Sequence, residues 1–346
     1  MPKPLAAITA HVSLLFLLLI ALAAPSVSQT PEPPNTERPR KVFPKEQEPD
    51  DVIRVDTDLV SVDITALDAE GRPVKNLRQE DFKIFSDNVE QPISFFQLEK
   101  RQGELRPLAI VFALDVSGSM TSEEMSRLRL ALQSFSNQLS GHPVSYAVTT
   151  FGMRVKTIQK FTSDPGKLDE SLERLSRDEP NGLSTHTYDA VDDAIRMLVR
   201  SAPRTRERRL MKRTVLVVTD GFPVGDTVSA KTVIERANAA DVSVFVVTLP
   251  SYSRVMASST QTPLPTPLDV SGLAELTGGR SVYATEKDYA PLFRALAEEV
   301  SSAYVLAFYP PEEKRRDGKV HTIRVEGPRG LLLRQSRTEY RAADKP

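Results

Sequence analysis

The stretch that most constrains the fold is Leu108 to Met120, LAIVFALDVSGSM. It opens as an unbroken apolar run over 108–114. A run this short, rich in Val, Ile and Phe, predicts a strand covered on both faces, as in a parallel sheet. The run then breaks into Asp115, Ser117, Gly118 and Ser119. One carboxylate and two hydroxyls leave the strand end together, and Gly118 lets the backbone turn tightly there. A parallel sheet has its ligand crevice at such strand ends. Hard oxygen donors at this spacing suit a divalent cation such as Mg2+. A helix start with Ser117 or Ser119 as N-cap would call on the same residues.

Further oxygen donors lie downstream. Residues 214–219, TVLVVT, form a second buried apolar strand that ends in Asp220 and Gly221. Between the two strands, GLSTHTYD at 182–189 opens a helix with apolar positions at Val191, Ile195 and Leu198. The order is D-x-S-x-S, a threonine-rich loop before a helix, then T-D-G after a strand. Over roughly 106–302 the chain therefore resembles the von Willebrand factor type A domain with its metal-ion-dependent adhesion site. The resemblance implies an α/β, Rossmann-like domain with a mostly parallel central sheet flanked by helices. It implies Asp115, Ser117, Ser119, Thr185 and Asp220 as metal ligands, with Thr187 as the alternative to Thr185. The cofactor implied is Mg2+, with Mn2+ or Ca2+ in its place. A position left open on the ion would take an Asp or Glu carboxylate from a partner protein. That is non-enzymatic binding chemistry, of an adhesion or scaffold module.

The remaining composition narrows the alternatives. The formal net charge is −1, from 45 basic and 46 acidic residues, without the basic excess of a nucleic-acid-binding protein. There is no cysteine, which excludes disulfides, thiol catalysis and zinc–thiolate sites. The four histidines, His11, His142, His186 and His321, are scattered. His186 is the histidine nearest the threonines, and it reads as a loop residue bonded to backbone or solvent. No G-x-S-x-G elbow surrounds Ser117 or Ser119, which disfavours a serine hydrolase. No G-x-x-x-x-G-K-[ST] run points to a nucleotide. A metal-free structural type A scaffold is the main alternative.

The N-terminus, with Lys3, an apolar core over 12–24 and small residues up to Ser28, has the layout of a secretory signal over 1–28. An uncleaved anchor is the rival reading. Either places the remainder in a secreted, periplasmic or cell-envelope setting. Residues 29–51 are proline-rich and charged, and predict a disordered linker. Residues 52–100 turn β-rich. Val60, Val62, Ile64 and Ala66 alternate with polar residues, and short strands near Phe82–Phe85 and Ile93–Phe96 flank a turn at Asp87 and Asn88. The stretch DAEGRPVKNLRQEDFKIFSDN resembles the leader before the type A domain in a bacterial secreted family. The tail over 303–341 resembles that family too, with strands near 304–309, 320–325 and 331–340. Neither flank can bury a core alone. They are predicted to join in one small β-sandwich-like module, with the type A domain between its halves. Two separate decorations are the alternative.

Within the type A region, apolar periodicity predicts helices over 122–139, 167–175, 187–200, 230–240 and 269–276, and a last one through Leu292 and Val300. Strands are predicted over 144–151, 154–161, 242–249 and 281–284. The basic stretch from Arg204 to Arg213 reads as a solvated loop in preference to an anionic docking patch. The proline-rich loop 250–267 falls on the metal-site face. It is either a partner-selecting loop or a disordered insertion.

Overall fold

The computed structural model describes residues 59–98, 100–101, 104–117, 121–175, 185–206, 209–220, 222–249, 265–284, 288–301 and 304–342. The signal segment, the linker, Ser119 and nearly all of the 250–267 loop lie outside the described residues. Among the described residues, no helix is long and apolar enough to cross a membrane.

The chain begins with β1 (Val60–Leu67), β2 (Lys83–Ser86), β3 (Val89–Gln91), β4 (Phe95–Gln97) and a small hairpin, β5 (Lys100–Arg101) and β6 (Glu104–Leu105). An α/β region follows with β7 (Leu108–Asp115), α1 (Ser122–Gln138), β8 (Val144–Phe151), β9 (Lys156–Thr162), α2 (Pro165–Leu175) and α3 (Thr187–Ser201). It continues with β10 (Thr205–Arg206), β11 (Arg209–Leu210), β12 (Lys212–Thr219), α4 (Ala230–Ala239), β13 (Val242–Thr248), α5 (Pro267–Val270), α6 (Leu273–Leu276), β14 (Ser281–Tyr283) and α7 (Ala290–Ser301). The tail holds β15 (Tyr304–Phe308), α8 (Glu312–Arg315), β16 (Val320–Glu326), β17 (Leu332–Gln335) and β18 (Glu339–Arg341).

The central sheet has the order β14-β13-β12-β7-β8-β9, with β9 antiparallel and the other pairings parallel. Strand side chains alternate between two faces, so each central strand feeds two cores. Ile110, Phe112 and Leu114 face α1 and α7, where Phe135, Leu132, Phe293 and Leu296 are buried. Phe112 meets Phe135 edge to face at 5.6 Å between ring centroids. Ala109, Val111 and Ala113 face α3 and α4, against Ala190, Ala194 and Val233. The unbroken apolar run of β7 is the consequence of being covered on both sides.

The two flanks build antiparallel sheets together. One has the order β17-β1-β15-β4 and the other β18-β16-β2-β3. Val62, Ile64, Ile84, Leu306, Phe308 and Ile323 form their common core. Each sheet mixes strands from before and after the α/β region, which explains why neither flank has a core of its own. The turn from β2 to β3 places Asp87 and Asn88 at φ 49° and 65°. Asp and Asn tolerate that left-handed region better than bulkier residues, and two such residues match the twist of a tight hairpin.

Three expectations change. The helix over 269–276 divides at Gly272, whose φ of 70° ends one short helix and begins the next. The strand over 331–340 is two strands, β17 and β18. The basic stretch is not a solvated loop: β12 begins at Lys212, and Arg209, Lys212 and Arg213 are buried. Their charges have partners from elsewhere in the fold. Lys212 Nζ lies 3.8 Å from Asp63 of β1, and Arg209 donates to the Leu105 carbonyl at 2.6 Å.

Candidate metal centre

From β7 the chain passes to β8 on one side, while β12 lies on the other. The order therefore reverses beside β7, and the loops leaving β7 and β12 part in opposite directions. Open α/β sheets form their ligand crevice at that point. Asp115 is the last residue of β7, and Asp220 directly follows β12.

Asp115 is 1 % exposed. Its Oδ1 accepts the Ser117 backbone N–H at 2.9 Å, and its Oδ2 accepts the Thr219 hydroxyl at 2.8 Å. Burial pushes its carboxyl up to about 6, with the charge of Asp220 acting in the same sense and the bonds from Ser117 and Thr219 opposing. No Lys, Arg or His among the described residues forms an ion pair with Asp115. The capping function ahead of α1 falls on Thr121, not on Ser117. Thr121 Oγ1 accepts from Glu124 N at 3.2 Å, and the Glu124 carboxylate accepts from Thr121 N at 3.0 Å. This reciprocal box fixes where the loop after β7 must end.

The threonine loop is sewn to the same rim by backbone bonds. Thr185 N donates to the Val224 carbonyl at 3.1 Å, and Val224 N returns a bond to Thr185 at 3.0 Å. His186 N donates to the Gly152 carbonyl at 3.1 Å, just beyond β8. Val116 N donates to the Phe151 carbonyl at 2.8 Å, which ties the first loop to that strand as well. Thr187 directs its hydroxyl at the Thr185 carbonyl, 3.3 Å away. Asp115, Ser117, Thr185 and Asp220 thus stand on three loops along one edge of the sheet. Asp115 and Asp220 interact electrostatically, whereas the loop of Thr185 joins through its backbone.

Two features escaped the sequence. The apolar pattern assigns Thr219 only to the end of a buried strand, yet its hydroxyl joins that strand to the Asp115 carboxylate. Its signal was its place directly before Asp220. The second feature is a cluster in which ligand atoms of His186, Asp189 and Asp226 all lie within 4.8 Å of one another. The His186 ring meets Asp189 Oδ2 at 3.0 Å, so its partner is a carboxylate and not backbone or solvent. Asp189 also accepts from Thr227 N at 3.0 Å and Val228 N at 2.9 Å, while Asp226 accepts from Asp189 N at 2.9 Å. These bonds clamp the start of α3 to the segment after Asp220. Asp189 is held below the usual carboxylate range: burial would raise it, but bonds from His186 and Thr227 outweigh that.

The chemistry of the first set suits a hard divalent cation. Its donors are hydroxyl and carboxylate oxygens, and its buried carboxylate has no counter-charge among the described residues. The second set has its oxygens committed to neighbouring N–H groups, which suits a structural clamp.

Residues 109–262 match the family model described as the von Willebrand factor type A domain. A comparison with curated proteins found no match. Among solved structures, the chain is similar to an aerotolerance-related membrane protein from Bacteroides fragilis, at 14% identity and a TM-score of 0.40, over 56% of this chain and 98% of that one. BatB from Bacteroides thetaiotaomicron is similar at 19% identity and a TM-score of 0.40, over 56% of this chain and 97% of that one. Proximal thread matrix protein 1 from the mussel byssus, whose structure is described with a zinc-occupied MIDAS motif, is similar at 12% identity and a TM-score of 0.43. That match covers 58% of this chain and 47% of that one. Type A domains typically serve protein–protein interaction and often bind a divalent metal. Between its two flanks, this chain carries a von Willebrand factor type A domain.

Proposed function

We propose that the protein is a non-enzymatic, divalent-metal-dependent binding module, with Asp115, Ser117, Ser119, Thr185 and Asp220 as the metal ligands. The single observation that supports this most is Asp115: a buried carboxylate with no cationic partner among the described residues, interacting with a second aspartate across the sheet's switch point. Inside a folded chain that arrangement is unfavourable unless a positive charge joins it. Thr219 and the Ser117 amide orient the Asp115 carboxylate. Asp220 adds charge from the neighbouring loop, and Thr185 contributes a neutral hydroxyl. Neutral hydroxyls in the set leave the ion short of negative charge. When bound, Mg2+, or Mn2+ or Ca2+ in its place, would offer a Lewis-acidic position to an Asp or Glu carboxylate of a partner protein. Secretion or envelope attachment through the apolar segment over 12–24 would place the module where such partners are met.

Thermal unfolding with Mg2+, Mn2+ and EDTA tests the metal. At a hundredfold excess over Kd, Mg2+ should stabilise the protein by about 2.7 kcal/mol. The Asp115→Ala variant should show no shift. Equal curves in Mg2+ and EDTA for the native protein would leave the metal-free scaffold as the reading. A pull-down from envelope extract tests the carboxylate partner: capture should vanish in EDTA and with Asp220→Ala. Capture indifferent to both would remove the partner claim.

A further inference from the structure

The last turns of α3 and α4 part over a groove of about 720 Å³. It lies about 20 Å along α3 from the candidate metal centre, at a rise of 1.5 Å per residue. Val199, Pro203 and Ala239 make its apolar lining, and Val199 is 55 % exposed there. Five arginines line it as well: Arg196, Arg200, Arg204, Arg213 and Arg236. Four of them are engaged. Arg196 and Arg236 both hold the Asp192 carboxylate, at 2.8 and 2.6 Å. Arg204 meets Asp241 at 3.2 Å, and Arg213 donates to the Ala240 carbonyl. Arg200, one turn beyond Arg196, has no ion pair or hydrogen bond among the described residues.

The pattern has a direction. Along one face of α3, Asp192 answers Arg196 at i+4, and the next rung is Arg200 without an acid. A cation in the last turn favours the helix terminus by itself. It does not account for an exposed valine beside it or for the open volume over both. The wall already shows what it accepts, a carboxylate gripped between two guanidinium forks. A volume of this size falls in the range of small-molecule sites, about 300–1,000 Å³, and its mix of apolar surface and arginines suits a ligand with one anionic end.

We propose that this groove binds a small amphiphile with a carboxylate head and an apolar body. The head pairs with Arg200, with Arg204 beside it. The body lies along Val199, Pro203 and Ala239. The site is independent of the metal centre.

Isothermal titration of the full chain with decanoate tests this, with decanol as the uncharged control and anionic phospholipid vesicles as the membrane control. Decanoate should bind at one saturable site. Arg200→Gln should weaken it about tenfold, the worth of one charge-assisted hydrogen bond. Decanol should bind at least about tenfold more weakly for the same reason. Val199→Ser should weaken decanoate binding a few-fold. Both residues are exposed, so the unfolding midpoints and the Mg2+ response should stay as in the native protein. Absence of saturable decanoate binding overturns the proposal. So does equal binding of decanol, unchanged affinity in Arg200→Gln, or binding confined to vesicles.

Discussion

At the N-terminal edge of the parallel sheet, Asp63 of β1 lies under the fork of Arg106, with both oxygens at 3.0 Å, and Lys212 adds a third contact at 3.8 Å. At the C-terminal edge, Asp115 lies deeper, at 1 % exposed, and among the described residues meets only neutral donors and a second aspartate. Burial pushes both carboxyls upward. At Asp63 the charges of Arg106 and Lys212 outweigh burial and hold it below the usual carboxylate range. At Asp115 burial prevails, and the carboxyl stands at about 6. The same side chain is therefore a structural clamp at one edge and an unbalanced charge at the other. A buried acid whose cation is supplied by the chain closes an interface. One whose cation is not supplied is where we propose that an ion from outside binds.

The largest expected effect comes from breaking the closed edge. Arg106→Met removes both guanidinium bonds from Asp63, leaving only the more distant charges of Lys212 and Arg337, and should destabilise the protein by about 3–5 kcal/mol in urea unfolding. An unchanged urea midpoint would mean that the interface does not depend on this pair. Next comes a pair of variants with opposite signs. Asp63→Asn should lower stability. In EDTA at neutral pH, Asp115→Asn should raise it by about 1–2 kcal/mol, because relief of a buried charge whose carboxyl stands at about 6 exceeds the loss of one acceptor oxygen. Losses of equal size at both positions would erase the contrast between the edges.

The smallest effect concerns the β-sandwich. Both ring nitrogens of His321 meet carboxylates, Asp87 at 2.8 Å and Asp317 at 3.0 Å. Burial would lower its pKa, but these two acids raise it above the ordinary 6.5. A raised histidine stabilises the fold fully below 6.5 and loses that contribution as pH climbs through its folded value. Stability should therefore decline as pH climbs from about 6 to the alkaline side of that value. His321→Gln should flatten the slope, and a slope that persists in the variant would assign it to another group.

What could be read in advance was local. Leu108 to Leu114 announced a doubly covered strand because burial on both faces leaves no polar position in it. Asp115 and Asp220 could be picked out because each directly follows an unbroken apolar or β-branched run. The basic stretch was misjudged for the opposite reason. Whether Lys212 is solvated depends on Asp63, which no nearby residue signals. Gly278 and Gly279 read as a helix stop, and a second constraint applies there. A Cβ on Gly278 would collide with the Ser336 backbone, and one on Gly279 with the Val244 carbonyl. The clamp of Asp189 on Thr227 and Val228 was equally hidden, since the two segments meet only through the sheet.

The sequence by itself determined the alternation of strands and helices, the rim at which the oxygen donors emerge and the need of the two flanks for each other. These follow from periodicity and from the places where apolar runs give way to polar residues. Only the tertiary structure decided which charges are neutralised within the chain. Pairing energies depend on distance and local dielectric, and those are set when β1, β7 and β12 come together, not by their order along the chain.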